Sequence, residues 1–389
     1  MYKINKNSIT YGKQFIDSED AKIVNRSLRE ELITTGSFVK KFENNLKKKL
    51  KSKFVSTCIN ATAGLHLAFM SINLKKNDVV IMPAINFISA YRMAKIMGAK
   101  IFFTDVDPIS GQMTPQTLID CIKKNRLSKI KLILTMYLGG YAENVQEFYR
   151  IKKKYNSFII EDSCHAFGSK YKFKNELINV GSCKHSDLSV FSFHPVKPIT
   201  TGEGGAISTN NKKLAANINL LKNHGIVRKK NYWDYDIKQL GFNYRLSDIN
   251  CSLGISQLKK LTFFLSRRKN IFNRYIERIS KYPDYLKVYK SNEKFNSFHL
   301  ILLSVNFKKL KYSKDHLINY LNKKGIFPQY HYKPIYKFSF YKKSKNIIYN
   351  GAEFFFRNTL SLPIYHNLTK KNQDRVIDNL INYIKVNKK

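Results

Sequence analysis

The sequence predicts an α/β fold, a mostly parallel sheet flanked by helices, followed by a smaller α+β unit at the C-terminal end. Three observations predict it. From Phe54 to Asp162, short apolar runs alternate with stretches of helical period, the rhythm of βα units packed on both faces of a sheet. One apolar run, Phe158-Ile159-Ile160, delivers Glu161 and Asp162 at its end. A second, Leu188 to Phe193, delivers His194-Pro195-Val196-Lys197. Open α/β sheets bind ligands beyond the carboxyl ends of their strands, so these charged groups mark a site.

Composition narrows the function classes. A chain of 389 residues, 43% hydrophobic and 13% aromatic, can bury a full core and is not disordered. We expect a large domain over 1–257 and a small C-terminal domain over 258–389, where the composition shifts to helix and short strands. The five cysteines, Cys58, Cys121, Cys164, Cys183 and Cys251, are an odd set without a C-x-x-C pair, against a disulfide framework or a zinc site. A reducing cytoplasm is the expected setting, with no metal. The N-terminus lacks the apolar core of a signal peptide, and the longest apolar run, Val79 to Ala90, is too short to span a membrane. A net charge of +42, from 69 Lys+Arg against 27 Asp+Glu, raises nucleic acid or an anionic surface as a partner. Scattered lysines and a joint excess of Lys, Asn, Ile, Tyr and Phe fit A+T-rich coding instead. The densest clusters, Lys40 to Lys53 and Lys385 to Lys389, read as solvated helix faces or frayed ends, so no specific nucleic-acid or membrane partner is expected.

The elements follow in order. Asp17-Ser18-Glu19-Asp20 starts a helix with Ala21, Val24 and Leu28 on one face, which Leu32 to Gly36 breaks. Phe38, Phe42, Leu46 and Leu50 mark an amphipathic helix, and Phe54 to Cys58 the first strand. That strand runs into Asn60-Ala61-Thr62-Ala63-Gly64, small residues at the start of a helix whose free N–H groups suit an anion. Strand Val79 to Met82 and Pro83 to Phe87 precede a helix closed by Gly98. Then come strand Lys100 to Thr104, a helix begun by Thr114-Pro115, strand Lys131 to Met136, a helix from Val145 to Tyr155, and the strand ending in Asp162. On the strand from Leu188, Ser192 alternates with Phe191 and Phe193 and so faces away from the packed core. Beyond Leu258, Phe298 to Val305 and Ile326 to Tyr332 are strand candidates.

After Lys197 the chain enters Thr200-Thr201-Gly202-Glu203-Gly204-Gly205. A lysine and a carboxylate at neighbouring strand ends suit pyridoxal phosphate (PLP), which needs a lysine to bond its aldehyde and an acid to keep its ring nitrogen protonated. Lys197 and Asp162 fit these roles; the bland alternative is one more solvated lysine in a basic chain. The run FSFHPVKPITTGEGG at 191–205, with Glu161-Asp162 and His165 ahead of it, resembles the DegT/DnrJ/EryC1/StrS family of sugar aminotransferases. The likeness extends from Tyr11 through the final helix. Its departures are Lys222-Asn223 before His224-Gly225, where arginine is usual, and Asn175 where glycine is common.

The resemblance implies the type I fold of PLP-dependent aminotransferases and a role for each matching residue. Lys197 bonds the cofactor and then moves a proton, and Asp162 meets the ring nitrogen. Phe87 stacks on the ring, while His165 lies near its phenolic oxygen. Thr62, Ala63 and Ser192 hold the phosphate. Asn243, in Gly241-Phe242-Asn243-Tyr244-Arg245, matches the residue that reaches the phosphate of the neighbouring subunit, which implies a homodimer with shared sites. Read from the residues alone, Ala63, His165 and Asn243 fit packing, core and turn roles as well. The implied substrates are an amino donor, usually glutamate in the family, and a nucleotide-linked keto sugar. Tyr11, Thr34 and the stretch Gln329 to Tyr336, with His331, Tyr332 and Lys333, look like the branch that aminates C4 of UDP-linked 4-keto-6-deoxy N-acetyl sugars on the way to pseudaminic-acid-like nonulosonic acids. The HYKP stretch offers a cation and aromatic faces to a diphosphate and a uracil or sugar ring. Branches using GDP-linked (perosamine-type) or dTDP-linked sugars share the cofactor residues and remain alternatives. A basic binding protein on a degenerate PLP fold is the alternative of another class, and it predicts lost cofactor residues where none is lost.

Overall fold

The computed structural model describes residues 5, 7–231, 233–341 and 348–389. Strand β1 (Ile9–Thr10) and helices α1 (Ser18–Ser27) and α2 (Ser37–Leu50) lead into a βα succession. It comprises β2 (Phe54–Cys58), α3 (Ala61–Ser71), β3 (Val79–Pro83), α4 (Ile88–Ile96), β4 (Lys100–Thr104), α5 (Pro115–Lys124), β5 (Leu132–Met136), α6 (Val145–Tyr155) and β6 (Phe158–Asp162). A hairpin, β7 (Lys170–Phe173) with β8 (Glu176–Asn179), precedes β9 (Leu188–Ser192) and β10 (Gly205–Thr209). Helix α7 (Lys212–Leu221) and the hairpin β11 (Ile226–Arg228) with β12 (Tyr235–Ile237) lead to α8 (Asp248–Ile279), 32 residues long. The remainder holds β13 (Leu286–Val288), β14 (Ile301–Val305), α9 (Lys314–Lys323), β15 (Ile326–Phe327), α10 (Asn350–Asn358), β16 (Thr359–Leu362) and α11 (Lys370–Asn387).

Among the described residues, seven strands form the central sheet in the order β2-β10-β9-β6-β5-β3-β4. All run the same way except β10, which is antiparallel to both of its neighbours. Strand alternation separates two packed layers. Ile81, Ile133 and Ile159 face α5 and α6 through Leu118, Phe148 and Ile151, while Ile160, Val190 and Ile207 face α3 and α7 through Leu65, Phe69 and Ile218. Both faces are therefore covered, as the near-continuous apolar strands require. Phe191 and Phe193 belong to a third cluster, with Phe42 and Leu46 of α2 and Ile255 of α8. Strands β13, β14 and β16 form a separate antiparallel sheet.

Local signals placed the boundaries well where they were strong. Thr114 caps α5 in a reciprocal capping box, with Pro115 in the first turn, and Gly98, at φ +78°, ends the turn after α4. Three features differ from the sequence reading, the first being that the strand expected over Ile326 to Tyr332 is confined to Ile326–Phe327. Strand β10 starts at Gly205, the last residue of the glycine- and hydroxyl-rich run, because neighbours on both sides supply the ladder that its composition does not advertise. Helix α1 buries Asp20 and Ser27, leaving Ala21 and Leu28 exposed. The cause is α8, which meets it with polar groups: Gln257 Nε2 donates to Asp20 Oδ2 at 2.8 Å, Lys260 Nζ pairs with the same oxygen at 2.8 Å, and Ser252 Oγ donates to Ser27 Oγ at 3.1 Å. Positions 257 and 258, where the sequence reading divides the chain, both lie inside α8. No helix among the described residues is long and apolar enough to cross a membrane.

Candidate active site

Strands β2, β3, β5, β6 and β9 all end at one edge of the sheet, and β10 begins there. The six chain segments at that edge surround a cavity of about 450 Å³, within the range of small-molecule sites. Asp162 comes from the end of β6 and is 2% exposed. Glu161, one residue earlier, faces the other way and accepts a hydrogen bond from Tyr137 at 2.9 Å. Strand alternation thus assigns one carboxylate to the cavity and the other to the core.

Lys197 lies in the loop joining β9 to β10 and lines the same cavity, half-buried. That loop is tied internally. Thr200 Oγ1 donates to the Phe193 carbonyl at 2.9 Å, Thr201 N–H to the same carbonyl at 3.0 Å, and Thr201 Oγ1 to the Glu203 carbonyl at 2.7 Å. Asn250 of α8 anchors it from outside, its Nδ2 donating to the Thr201 carbonyl at 2.6 Å. Burial pushes the Lys197 ammonium below its ordinary range, a tendency that Cys164 and Asp162 oppose and Arg268 reinforces. Burial also raises the Asp162 carboxyl, against its hydrogen bonds to Cys164 and the charge of Lys197.

On the opposite wall, Asn60 caps α3 by accepting from Ala63 N–H at 2.9 Å. Ala61 and Thr62 line the cavity beside Ser192. Gly205 passes so close beneath this helix end that a Cβ there would sit 2.7 Å from the Asn60 carbonyl carbon and 2.9 Å from Ala61 N. Only glycine lets β10 and the helix N-terminus converge. Phe87, 51% exposed, lines the opening with its ring 5.7 Å from that of Tyr332. His165 is buried; its Nδ1 accepts from Gly139 N–H at 3.3 Å and its Nε2 lies 2.9 Å from Tyr332 Oη. The Gly139 bond fixes the tautomer: Nε2 carries the hydrogen and donates to Tyr332, whose own hydroxyl hydrogen is left to point elsewhere. Tyr11 and His331 complete the wall, their rings 4.9 Å apart, with His331 Nδ1 2.8 Å from Ser361 Oγ.

Of the residues singled out from the sequence, the cavity brings together Tyr11, Thr62, Phe87, Asp162, His165, Ser192, Lys197, His331 and Tyr332. Ala63 lies one residue deeper in α3, with its N–H already engaged by Asn60. Thr34, Asn243 and Lys333 stand outside it. Thr34 is exposed and bridges to Ser247, Asn243 is exposed and bridges to Asn223, and Lys333 sits over the Phe338 ring at 5.2 Å. Sequence reasoning missed His194, Cys164, Glu203 and His299, which also line it. His194 and Glu203 stood inside quoted motifs and Cys164 between Asp162 and His165; His299, alone in an apolar run, gave no signal.

The residues fit PLP on physical grounds. Asp162 and Lys197 line one cavity, yet neither has an ion-pair partner among the described residues. A buried carboxylate without a cation is costly, and a ring nitrogen carrying a proton would satisfy it. The N-terminus of α3 offers its amides to a phosphate.

The profile of the DegT/DnrJ/EryC1/StrS aminotransferase family matches residues 14–381. The chain belongs to this family. It is 39% identical over 382 residues to a UDP-4-amino-4,6-dideoxy-N-acetyl-beta-L-altrosamine transaminase of Campylobacter jejuni, covering 98% of this chain and 99% of that one. Its structure superimposes on the Helicobacter pylori aminotransferase PseC of pseudaminic acid biosynthesis with a TM-score of 0.89 at 28% identity, covering 98% and 100% of the two chains. The PLP form of Spr1654 from Streptococcus pneumoniae gives 0.88 at 26% identity, covering 97% and 99%. The protein is thus a PLP-dependent aminotransferase of the type I fold, and its mostly parallel sheet is the one the sequence predicted.

Proposed function

We propose that this aminotransferase moves an amino group from glutamate to C4 of a UDP-linked 4-keto-6-deoxy N-acetyl sugar, and that it works as a homodimer in the cytoplasm. The observation that carries the substrate is the 39% identity, across 98% of the chain, to a transaminase of that name. Five unpaired cysteines suit a reducing compartment.

PLP, when bound, supplies an aldehyde that takes up the donor's amino group and a ring that draws electrons from the bond being broken. Lys197 holds that aldehyde until the donor arrives. Its freed Nζ would then take the proton from the donor's carbon and, in the second half of the exchange, supply one to the carbon of the sugar that receives the amino group. Asp162 keeps the ring nitrogen protonated, and Phe87 covers one face of the ring. Thr62, Ser192 and Asn243 of the partner subunit hold the phosphate, with Ala63 behind them in the first turn of α3, its N–H given to Asn60. His165 orients Tyr332, and Tyr11, Thr34, His331, Tyr332 and Lys333 receive the sugar nucleotide. The division into 1–257 and 258–389 belongs to the same reading, supported by a three-stranded sheet built wholly from the later part.

A second copy is supported by what the single chain leaves outside its own cavity. Asn243 and Thr34 are exposed and do not line the Lys197 cavity, and exposed apolar residues flank them in the sequence, among them Leu32, Ile33, Ile237 and Leu240, the last 89% exposed. Exposed apolar residues clustered along the chain in this way suit an interface. Refolding inactive Lys197→Ala with inactive Asn243→Ala chains should restore partial activity, because each hybrid dimer keeps one intact site. No recovery in proven hybrids refutes the shared site. A screen of nucleotide-linked 4-keto sugars with glutamate, read by product mass, tests the substrate; preference for GDP- or dTDP-sugars overturns the UDP assignment.

A further inference from the structure

The entry to β14 holds an unusual backbone. Phe298 has φ +48°, in the left-handed region that a bulky side chain avoids, and residues so held cluster where function requires them. Packing keeps it there, with its ring 4.8 Å from that of Phe272 and 6.5 Å from that of Tyr141. The next residue, His299, is 3% exposed and lines the cavity. Both of its backbone groups are tied: N–H donates to the Gly139 carbonyl at 2.9 Å, and its carbonyl accepts from Arg268 Nη1 at 3.4 Å. Arg268 is 2% exposed, has no ion-pair partner among the described residues, and also donates to the carbonyls of Phe298 and Ile364, at 3.4 and 3.2 Å. A buried cation with only carbonyls for company is expensive, which makes its placement behind His299 informative.

The imidazole itself stands between two active groups. Its ring centre is 4.3 Å from that of His165, and its Nε2 is 3.5 Å from Lys197 Nζ, the long end of hydrogen bonding. Nδ1 has no partner. Burial, His165, Lys197 and Arg268 together hold this histidine well below its ordinary titration range, so it is neutral. An ammonium has donors only, so toward Lys197 in its charged form a neutral imidazole must present the Nε2 lone pair.

We propose that His299 is a positioning residue for Lys197, its Nε2 accepting the hydrogen bond of the lysine ammonium whenever the lysine is not bonded to the cofactor. This rests on the reading in which Lys197 carries the cofactor and moves the proton. An acceptor favours the charged lysine, whereas burial and Arg268 favour the free amine. Asp162 and Cys164 from the end of β6 act on the same side as His299. His165, His331 and Tyr332 face the lysine as neutral groups, since burial keeps both histidines unprotonated and the phenol un-ionised. His299 therefore keeps the lysine a strong enough base to take a proton.

The test is the pH dependence with which cofactor-free protein, mixed with PLP, acquires the visible absorption band of the lysine-bonded cofactor, because bonding needs the free amine of Lys197. His299→Leu should move the midpoint of that profile down by about one pH unit, the equivalent of one hydrogen bond to a charged group. His299→Gln, whose side-chain oxygen reaches the position of Nε2, should restore the original midpoint. His299→Asn removes the same acceptor while staying polar, and serves if the leucine disturbs folding. An unchanged midpoint in the Leu and Asn variants, or a shift that Gln does not reverse, overturns the role of His299. A wild-type protein that forms no band, or a Lys197→Ala variant that forms it, overturns instead the underlying reading of Lys197, and this role falls with it.

Discussion

Asp248 is the first residue of α8, fully buried, and its carboxylate serves another helix. Oδ2 accepts from Gly36 N–H at 2.7 Å, and Oδ1 accepts from Phe38 and Val39 N–H at 2.8 and 3.1 Å. These are free amides at the start of α2, whose N-cap, Gly36, has no side chain to offer. A Cβ at Gly36 would lie 2.9 Å from Asp248 Oδ1 and 2.8 Å from the Leu32 carbonyl, so the glycine makes room for the distant carboxylate. Asp248→Ala orphans three buried donors, each costing about 1–3 kcal/mol, for a total on the order of 5 kcal/mol. Asp248→Asn can keep the two bonds at one oxygen but turns a donor toward Gly36 N–H, and should cost about 2 kcal/mol. Urea unfolding with an unchanged slope measures both. An Ala variant less than about 1 kcal/mol destabilised, or an Asn variant as unstable as Ala, refutes the assignment of α2's cap to this carboxylate. Because Thr34 bridges to Ser247, the Asn variant should also raise the KM for the sugar nucleotide.

Two further outcomes are expected. His165, His299 and His331 are held neutral by burial, His331 down to about 3, while in the unfolded chain they titrate near 6.5. Below about pH 6.5 the unfolded state takes up protons that the native state refuses, so stability should fall by about 1.4 kcal/mol per pH unit per histidine. His331→Asn should lower the slope by one such increment between pH 6 and 5, measured from urea midpoints; an unchanged slope refutes its neutrality. Lys333→Ala should raise the KM for the sugar nucleotide about tenfold and leave the half-reaction with glutamate unaltered, as single-turnover absorbance would show; equal loss in both halves removes Lys333 from sugar binding.

The sheet was legible because burial on both faces writes itself as unbroken apolar runs, such as Leu132 to Met136, and because strand ends carry their charges in sequence, as at Asp162. Strand β10 was not, since Gly-Ala-Ile-Ser-Thr has little strand character of its own and draws its ladder from β2 and β9. The exposed stripe of α1 misdirects for a similar reason. Which face is buried depends on what α8 presents, and α8 presents Gln257 and Lys260. In the site, Lys197 and Asp162 were readable from motif and chemistry together. His299 was not, because its meaning lies in a left-handed Phe298 and a cation 31 residues earlier in the chain, brought close only by folding.

The reversal of β10 has a consequence for how this scaffold tolerates change. Lys197 sits on a hairpin loop, with Ser192 and Gly205 paired at its base, instead of on a crossover that must wrap over the sheet. Its shape comes from Thr200 and Thr201 folding the loop back onto Phe193 and Glu203, with Asn250 as an outside tether. The position of the lysine and the register of the sheet are therefore separate variables. A residue inserted between Lys197 and Thr200 would shift the amine and leave the β9–β10 ladder intact, so the loop behaves as a cassette whose length can be varied to move the reactive nitrogen over a fixed floor.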